Sequence, residues 1–207
     1  LRTELANGDV VRMSPEGQEV RDVVLNTGGR PLGLAMDGQG RLLVADGMRG
    51  LLRVTGVGPQ AQVDVILKAV QQPVPNDPVR YADAVEVAAD GTVWVTDASR
   101  RFSPRELGST FEAGVLDILE HSCTGRLIAL HPDTLESRVA LSGLCFPNGL
   151  AFSGDGRALF VAETGTFGRT FDQAGNVGDD EAARVVDPYD AEVGRERGEG
   201  VVGDLGA

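Results

Sequence analysis

The stretch PLGLAMDGQGRLLVADGMRGLLRV, residues 31–54, decides the fold because its pattern occurs three times in the chain. It returns as ADAVEVAADGTVWVTDASRRF at residues 82–102 and as PNGLAFSGDGRALFVAETGTFGRT at residues 147–170. Each copy begins with an apolar run, turns through Asp-Gly or Gln-Gly, and continues in a second apolar run that ends in an acidic residue. Such turns between two apolar runs are typical of β-hairpins.

Further strand-like runs between the copies extend each hairpin to about four strands. They are VDVIL at 63–67, GRLIAL at 125–130 and SRVAL at 137–141. Four-stranded units that recur at about 50 residues indicate the blades of a β-propeller, so the sequence predicts an all-β fold. Segments 5–13 and 20–25 resemble the outer part of an earlier blade, whose innermost strand would precede Leu1. The chain would then hold about three and a half blades, whereas a closed ring needs about four to eight.

Two segments depart from the strand pattern. Residues 103–122 form an insertion, in which we expect one or two helical turns near residues 116–121. From residue 169 to residue 207, Val, Ala, Asp, Glu and Gly fill 28 of 39 positions. The chain is therefore divided into a partial propeller at 1–168 and an acidic, glycine-rich tail at 169–207. The tail is expected to be disordered, or not to be native coding sequence, since those five residue types share codons that begin with G.

The composition argues against several classes of partner. Acidic residues outnumber basic ones by 31 to 19, and the net charge of −12 disfavours binding to nucleic acids and anionic membranes. No run of 18 apolar residues is present, so no transmembrane helix is predicted. The acidic groups serve solubility, or they hold a hard cation such as Ca²⁺.

The chain has two cysteines, Cys123 and Cys145, which are 22 residues apart. This spacing is neither a zinc motif nor a disulfide framework. We interpret both residues as ordinary core or surface thiols. A single bridge between neighbouring strands is the alternative, and it would imply an oxidising compartment.

Several motifs, taken in order, resemble those of a known family. They are GRPLGLAMD with LLVADGMRGLL, VWVTDASRRF, DILEHSCTGRLIALHPDT and LCFPNGLAFSGDGRALFVAETG. From about residue 5 to residue 167 the chain resembles the strictosidine-synthase-like proteins, which group with the SMP-30/gluconolactonase, regucalcin and paraoxonase-like propellers. The resemblance implies a six-bladed β-propeller, apparently truncated here, whose central tunnel holds a divalent metal, usually Ca²⁺, in many members.

The resemblance also implies two metal ligands, because in these propellers the ligands sit where the innermost strands begin. Asn148, in FPNG, matches a ligand position, and the alternative is a turn asparagine before Gly149. Asp83, in RYADAVEV, stands where relatives often carry the Asn of an Asn-Asp pair, and Ala84 replaces the Asp. A solvated strand-start carboxylate is the alternative for Asp83. Two protein oxygens are fewer than the roughly six to eight that Ca²⁺ needs, and the family's other ligands lie outside the matching blades.

No catalytic residue is assigned. Leu32 occupies the strand start where paraoxonase-like members carry a histidine, and leucine cannot act as a general base. His121 and His131 are expected at the surface or at a blade edge, and no GxSxG motif is present. Three acidic residues end the second strand of each hairpin and are expected to accept hydrogen bonds from turn amides: Asp46, Asp97 and Glu163.

The leading functional hypothesis is that the complete protein is a metal-dependent hydrolase of esters or lactones, with a small-molecule substrate. Ca²⁺ held by Asn148 and Asp83 would polarise the carbonyl and stabilise the oxyanion. Strictosidine synthase activity is not expected, since the glutamate that serves it in the family belongs to a late blade outside the matching region. The alternatives are a non-catalytic ligand-binding propeller and an inactive truncated fragment.

Overall fold

The computed structural model describes residues 2–4, 7–12, 22–56, 58–165 and 183–186. Strands dominate this part of the chain. They are β1 (Arg2–Glu4), β2 (Asp9–Arg12), β3 (Asp22–Asn26), β4 (Pro31–Met36), β5 (Leu42–Asp46), β6 (Gly50–Thr55), β7 (Gln62–Leu67), β8 (Ala69–Val70), β9 (Asp77–Pro78), β10 (Ala82–Val87), β11 (Val93–Asp97), β12 (Gly125–Leu130), β13 (Ser137–Leu144), β14 (Pro147–Phe152), β15 (Leu159–Glu163) and β16 (Ala183–Val186). The helices are α1 (Pro104–Leu107) and α2 (Thr110–Glu120), with a 3-10 turn at Gly58–Gln60. None of the described helices is long and apolar enough to span a bilayer.

Consecutive strands pair antiparallel in four sheets, which are the blades. The two four-stranded blades have the orders β4-β5-β6-β7 and β10-β11-β12-β13. The sheet β1-β2-β3 precedes them and the sheet β14-β15-β16 follows, while β8 and β9 form a separate hairpin. Strand β3 leads into β4, so β1 to β3 correspond to the second to fourth strands of a four-stranded blade. The predicted all-β, partial β-propeller is confirmed for the described residues.

The predicted division at residue 168 lies outside the described residues, as does most of the predicted tail at 169–207. One part of that tail is described. Strand β16 pairs with β15 from Val186 opposite Leu159 to Ala183 opposite Ala162. These four residues therefore form the third strand of the fourth sheet.

Apolar side chains between adjacent blades form the core. Strands β5 and β11 are buried along their whole length, because each is an interior strand of a blade with another blade on either side. Leu43, Val95 and Ile128 pack between the second and third sheets. Trp94, 1% exposed, packs with Leu159 between the third and fourth. This packing holds the innermost strands β4, β10 and β14 side by side.

The insertion at 103–122 contains more helix than the predicted one or two turns, since α2 alone has 11 residues. The Ser109 Oγ caps it by accepting a hydrogen bond from the Glu112 N–H at 3.2 Å. Gly114 allows the ring of Phe146 to approach, since a Cβ there would lie 3.1 Å from the ring Cζ. Thr, Phe and Gly are weak helix formers, so the sequence at the start of α2 does not indicate a helix, and packing against the blades stabilises it instead.

Candidate functional site

The innermost strands of three blades begin around one cavity of about 350 Å³. Its lining consists of residues 32–34 of β4, 83–86 of β10 and 148–150 of β14. Both predicted ligands, Asp83 and Asn148, are among them. The fold thus brings together two polar side chains that are far apart in sequence but lie at the beginning of neighbouring inner strands.

All three inner strands are irregular at the same place. Their antiparallel register shifts at residues 31–34, 82–85 and 147–149. The three equivalent β-bulges contain Leu32, Asp83 and Asn148. The bulges of β4 and β10 each hold one more residue, whereas that of β14 holds Asn148 alone. A bulge re-aims a side chain away from the regular alternation, and bulges are frequent next to functional sites. The bulges explain how side chains from separate blades come to line one cavity.

Asp83 is the buried acid of this site. The residue is 6% exposed, and burial raises the pKa of its carboxyl to about 7. Within the described part of the chain the carboxyl has no hydrogen-bond or ion-pair partner, and no basic residue lines the cavity. A buried carboxylate without a partner is costly, so it needs a proton or a cation to neutralise it. The carboxyl also lines the cavity, and its assignment as a ligand or as a solvated strand-start carboxylate stays a prediction.

Asn148 is exposed and lies within β14, at the residue where the register of that strand shifts. The strands that carry the two predicted ligands are closely packed. At Gly33, a Cβ would lie 2.6 Å from the backbone oxygen of Asp83, so only glycine allows β4 to come this near to β10. At Gly125, a Cβ would overlap the ring of Pro147, the residue before Asn148. Two glycines therefore set the positions from which the two predicted ligands project.

The groups that could transfer a proton differ from those the sequence suggests. Leu32 is half-buried and apolar, and His121 and His131 are exposed, as predicted, and do not line the cavity. Glu86, which the sequence analysis does not single out, does line it, and burial raises the pKa of its carboxyl. The sequence signal that could have identified Glu86 is an acidic residue between two valines of an inner strand. The described lining therefore offers two carboxyls and one amide, all oxygen donors.

The three strand-end acids, Asp46, Asp97 and Glu163, have the structural role predicted for them. The Asp97 Oδ1 accepts hydrogen bonds from the backbone N–H of Arg80, at 3.1 Å, and of Tyr81, at 2.7 Å. Glu163 accepts one from the N–H of Cys145. Asp46 accepts two from its own turn, at 3.0 Å each. Asp97 and Glu163 thus hold the segments that lead into β10 and β14, and so position the two predicted ligands.

The interpretation of Cys123 and Cys145 as ordinary thiols is wrong, because the structure joins them in a disulfide bond. The pairing of β12 with β13 places Gly125 opposite Leu144, and this brings together the residues just beyond that pair. The bridge between neighbouring strands, which was the alternative, is the one observed. Sequence spacing could not decide this, because the register of two strands is not visible in the number of residues between two cysteines.

Radially packed antiparallel sheets with a cavity between their inner strands define this molecule as part of a β-propeller. A solved gluconolactonase from Xanthomonas campestris shares the fold with a TM-score of 0.58 and 22% sequence identity, over 78% of this chain and 49% of that one. Residues 83–169 match the strictosidine synthase family.

Two relatives from Arabidopsis thaliana extend the match. STRICTOSIDINE SYNTHASE-LIKE 7 is 35% identical over 140 residues, which are 68% of this chain and 34% of the relative. STRICTOSIDINE SYNTHASE-LIKE 6 is 35% identical over 145 residues, which are 70% of this chain and 35% of the relative. The chain belongs to the strictosidine synthase-like family, as the motifs predicted, and it spans about a third of the length of these curated relatives.

Proposed function

We propose that this chain contributes a calcium site to a hydrolase of esters or lactones. The observation that carries the proposal is the buried carboxyl of Asp83, without a partner among the described residues, on the same cavity as the amide of Asn148. Neighbouring inner strands present both groups from equivalent bulges. Hard cations collect oxygen donors held in this way on a rigid backbone.

The donors fit Ca²⁺ in type. Asp83 and Asn148 offer side-chain oxygens to an ion. Zinc favours Cys and His, and neither is among the described lining residues. Two side chains do not fill the roughly six to eight positions of a calcium ion. Backbone carbonyls, water and other blades would supply the remainder.

Calcium, when bound, supplies a Lewis acid that polarises a carbonyl oxygen. The residues of the chain supply the surroundings. Leu32, Leu34 and Leu150 line the cavity with apolar surface, which suits the hydrocarbon part of an ester or a lactone and limits the access of water. Glu86, whose pKa is raised, is the carboxyl available to accept a proton from an attacking water.

The test is turnover of aryl esters and lactones by the full-length protein, before and after divalent cations are removed with a chelator. We expect turnover to disappear on chelation and to return with added Ca²⁺. Asp83→Asn should weaken calcium binding, whereas Glu86→Gln should lower kcat by about a hundredfold and leave calcium affinity unchanged. Glu112→Gln, at an exposed position of α2, is the matched control. Turnover that survives chelation would reject the proposal.

A second candidate function is the binding of a small molecule in the same cavity without catalysis. Leu32 favours it, since an apolar side chain stands at the bulge equivalent to those of Asp83 and Asn148. Calorimetric titration with Ca²⁺ separates the two functions. A propeller that binds its ligand without metal gives no heat with calcium, and a calcium-dependent hydrolase does.

A further inference from the structure

A second cluster of potential metal ligands lies outside the cavity, where the helical insertion ends. It consists of His121, Cys123 and Cys145, whose ligand atoms all lie within 4.8 Å of one another. In the structure the two sulfurs are bonded to each other. We propose that reduction of this disulfide opens a binding site for a cation that prefers thiolate and imidazole, with Zn²⁺ as the reference ion. The proposal does not depend on the calcium site or on hydrolase activity.

The first arm of the cluster is a tight turn after α2. His121 and Cys123 both adopt left-handed backbone conformations, with φ of 53° and 44°, so the chain turns sharply at both residues. The turn is tied to the buried Asp117, whose Oδ1 accepts a hydrogen bond from the Ser122 Oγ at 2.6 Å. These contacts hold the imidazole and the first sulfur near each other without help from the disulfide.

The second arm is the segment between β13 and β14. The N–H of Cys145 donates to Glu163, and its carbonyl accepts from the N–H of Gly165 at 2.9 Å. The next carbonyl, of Phe146, accepts from the N–H of Thr164 at 3.0 Å. Both arms are thus held by hydrogen bonds that remain when the sulfur–sulfur bond is broken. The three ligands therefore stay close together in the reduced protein.

The spacing suits a tetrahedral ion. Zinc binds sulfur at about 2.3 Å and imidazole nitrogen at about 2.0 Å, so two sulfurs on one zinc ion are roughly 3.8 Å apart. Small shifts of the two cysteine side chains reach that separation. His121 is exposed, and among the described residues its ring has no hydrogen-bond partner, so a cation can reach it from solvent. Three protein ligands leave the fourth position to a water molecule.

The chemistry balances with a phosphine as the reductant. The phosphine gives two electrons to the disulfide, and water supplies the oxygen of the phosphine oxide and the two protons of the new thiols. Binding of Zn²⁺ then forms two Zn–S bonds and releases those two protons. The disulfide offers no thiolate, so the oxidised protein has no such site.

Cobalt(II) reports on the site, because tetrahedral cobalt thiolates absorb by ligand-to-metal charge transfer and in the visible region. The chain is reduced with a phosphine, freed of reductant without oxygen, and titrated with Co²⁺ and then with Zn²⁺. We expect one Co²⁺ per reduced chain with both absorptions, their loss when Zn²⁺ displaces it, and neither absorption in the oxidised chain.

Variants assign the ligands. Cys123→Ser should abolish the charge-transfer absorption, and His121→Ala should weaken Co²⁺ binding by about tenfold or more. His131→Ala is the matched control, since His131 is exposed and lies in another turn, and it should bind like wild type. Equal binding by His121→Ala and wild type would overturn the proposal. So would a reduced chain that loses its β-sheet circular dichroism and does not regain it with Co²⁺, because the preformed ligand geometry is the premise.

Discussion

At the residue scale, burial of Asp83 makes the free energy of unfolding depend on pH. The pKa of its carboxyl is about 7 in the folded protein and about 3.9 in an unfolded chain. The protonated carboxyl therefore makes its full contribution to the free energy of unfolding below about pH 4. This contribution is lost as the pH rises through 7. In calcium-free buffer, we expect the free energy of unfolding of Asp83→Asn, taken relative to that of wild type, to rise by about 4 kcal/mol between pH 4 and pH 8. Urea unfolding at the two pH values measures this change.

Asp133→Asn is the control for that measurement, because Asp133 is exposed in a turn and the substitution removes the same charge. Its stability should follow that of wild type at both pH values. If Asp83→Asn also runs parallel to wild type from pH 4 to pH 8, the carboxyl of Asp83 is not buried without a partner.

The sequence could identify the residue at this position but not its surroundings. Asp83 and Asn148 are polar residues at the beginning of apolar strands, which is visible in the sequence. The burial of Asp83 depends on how near β4 comes to β10, and that depends on Gly33 and on the bulges of both strands. A bulge is a property of two paired strands, so one strand read alone does not reveal it.

At the scale of the element, Asp97 stabilises the entry to β10. Its carboxylate holds the amides of Arg80 and Tyr81 and pairs with Arg126, which is 1% exposed. Asp97→Asn should lower the free energy of unfolding by about 3 kcal/mol, because it leaves part of a buried guanidinium charge uncompensated. Chemical denaturation measures the loss.

Glu106→Gln is the matched variant, since Glu106 pairs with Arg80 at a surface where its side chain is 62% exposed. A surface ion pair contributes little, so the change should stay below about 1 kcal/mol. Similar losses in the two variants would show that the buried acid does not have the structural role assigned to it.

Gly125, the first residue of β12, stands where there is no room for a side chain. A Cβ at this position would overlap Pro147 and lie 2.8 Å from the backbone oxygens of Ala98 and Leu144. Gly125→Ala should therefore displace the start of β14 and destabilise the protein by about 3 kcal/mol. Gly154→Ala, where a Cβ would meet nothing within 4 Å, should leave the melting temperature nearly unchanged. Equal melting temperatures for both variants would contradict this account of the packing.

Elements with a strong local signal were predicted best. The hairpin strands were found because apolar runs flank Asp-Gly and Gln-Gly turns, and β12 matches the predicted 125–130. Helix α2 was underestimated because its first turn contains weak helix formers and depends on contact with Phe146. Where packing rather than local preference stabilises an element, a single sequence does not show it.

At the scale of the whole molecule, the repeated hairpins made the architecture predictable. Features that depend on the register between paired strands could not be predicted. Three similar hairpins were enough to indicate blades, and the family resemblance implied that Asp83 and Asn148 lie near one another at the beginning of inner strands. The disulfide between Cys123 and Cys145 depends on the alignment of β12 with β13, to which two cysteines 22 residues apart give no guide. Strand β16 was missed because its partner, β15, lies beyond a long segment of acidic and glycine-rich sequence.

A calcium ion bound by both Asp83 and Asn148 would couple two blades. Asp83 belongs to the third sheet and Asn148 to the fourth, so an ion that both residues bind adds a link between two blades that also pack through apolar contacts. Calcium at about 100 times its Kd stabilises the bound state by about 2.7 kcal/mol, so local opening of the bound region should become roughly a hundredfold rarer. Amide hydrogen exchange, followed by mass spectrometry, should therefore slow together in Ala82–Val87 and Pro147–Phe152 when Ca²⁺ is added.

The outer strand Gln62–Leu67, which is remote from the cavity lining, is the internal reference and should exchange at nearly the same rate with and without the ion. Asn148→Ala should remove the effect from both inner strands at once, because the link needs a ligand on each blade. Protection that persists in β10 after this substitution would mean that any calcium site lies on the third sheet alone. The proposed sharing of one ion by two blades would then be wrong, whereas the propeller fold would be unaffected.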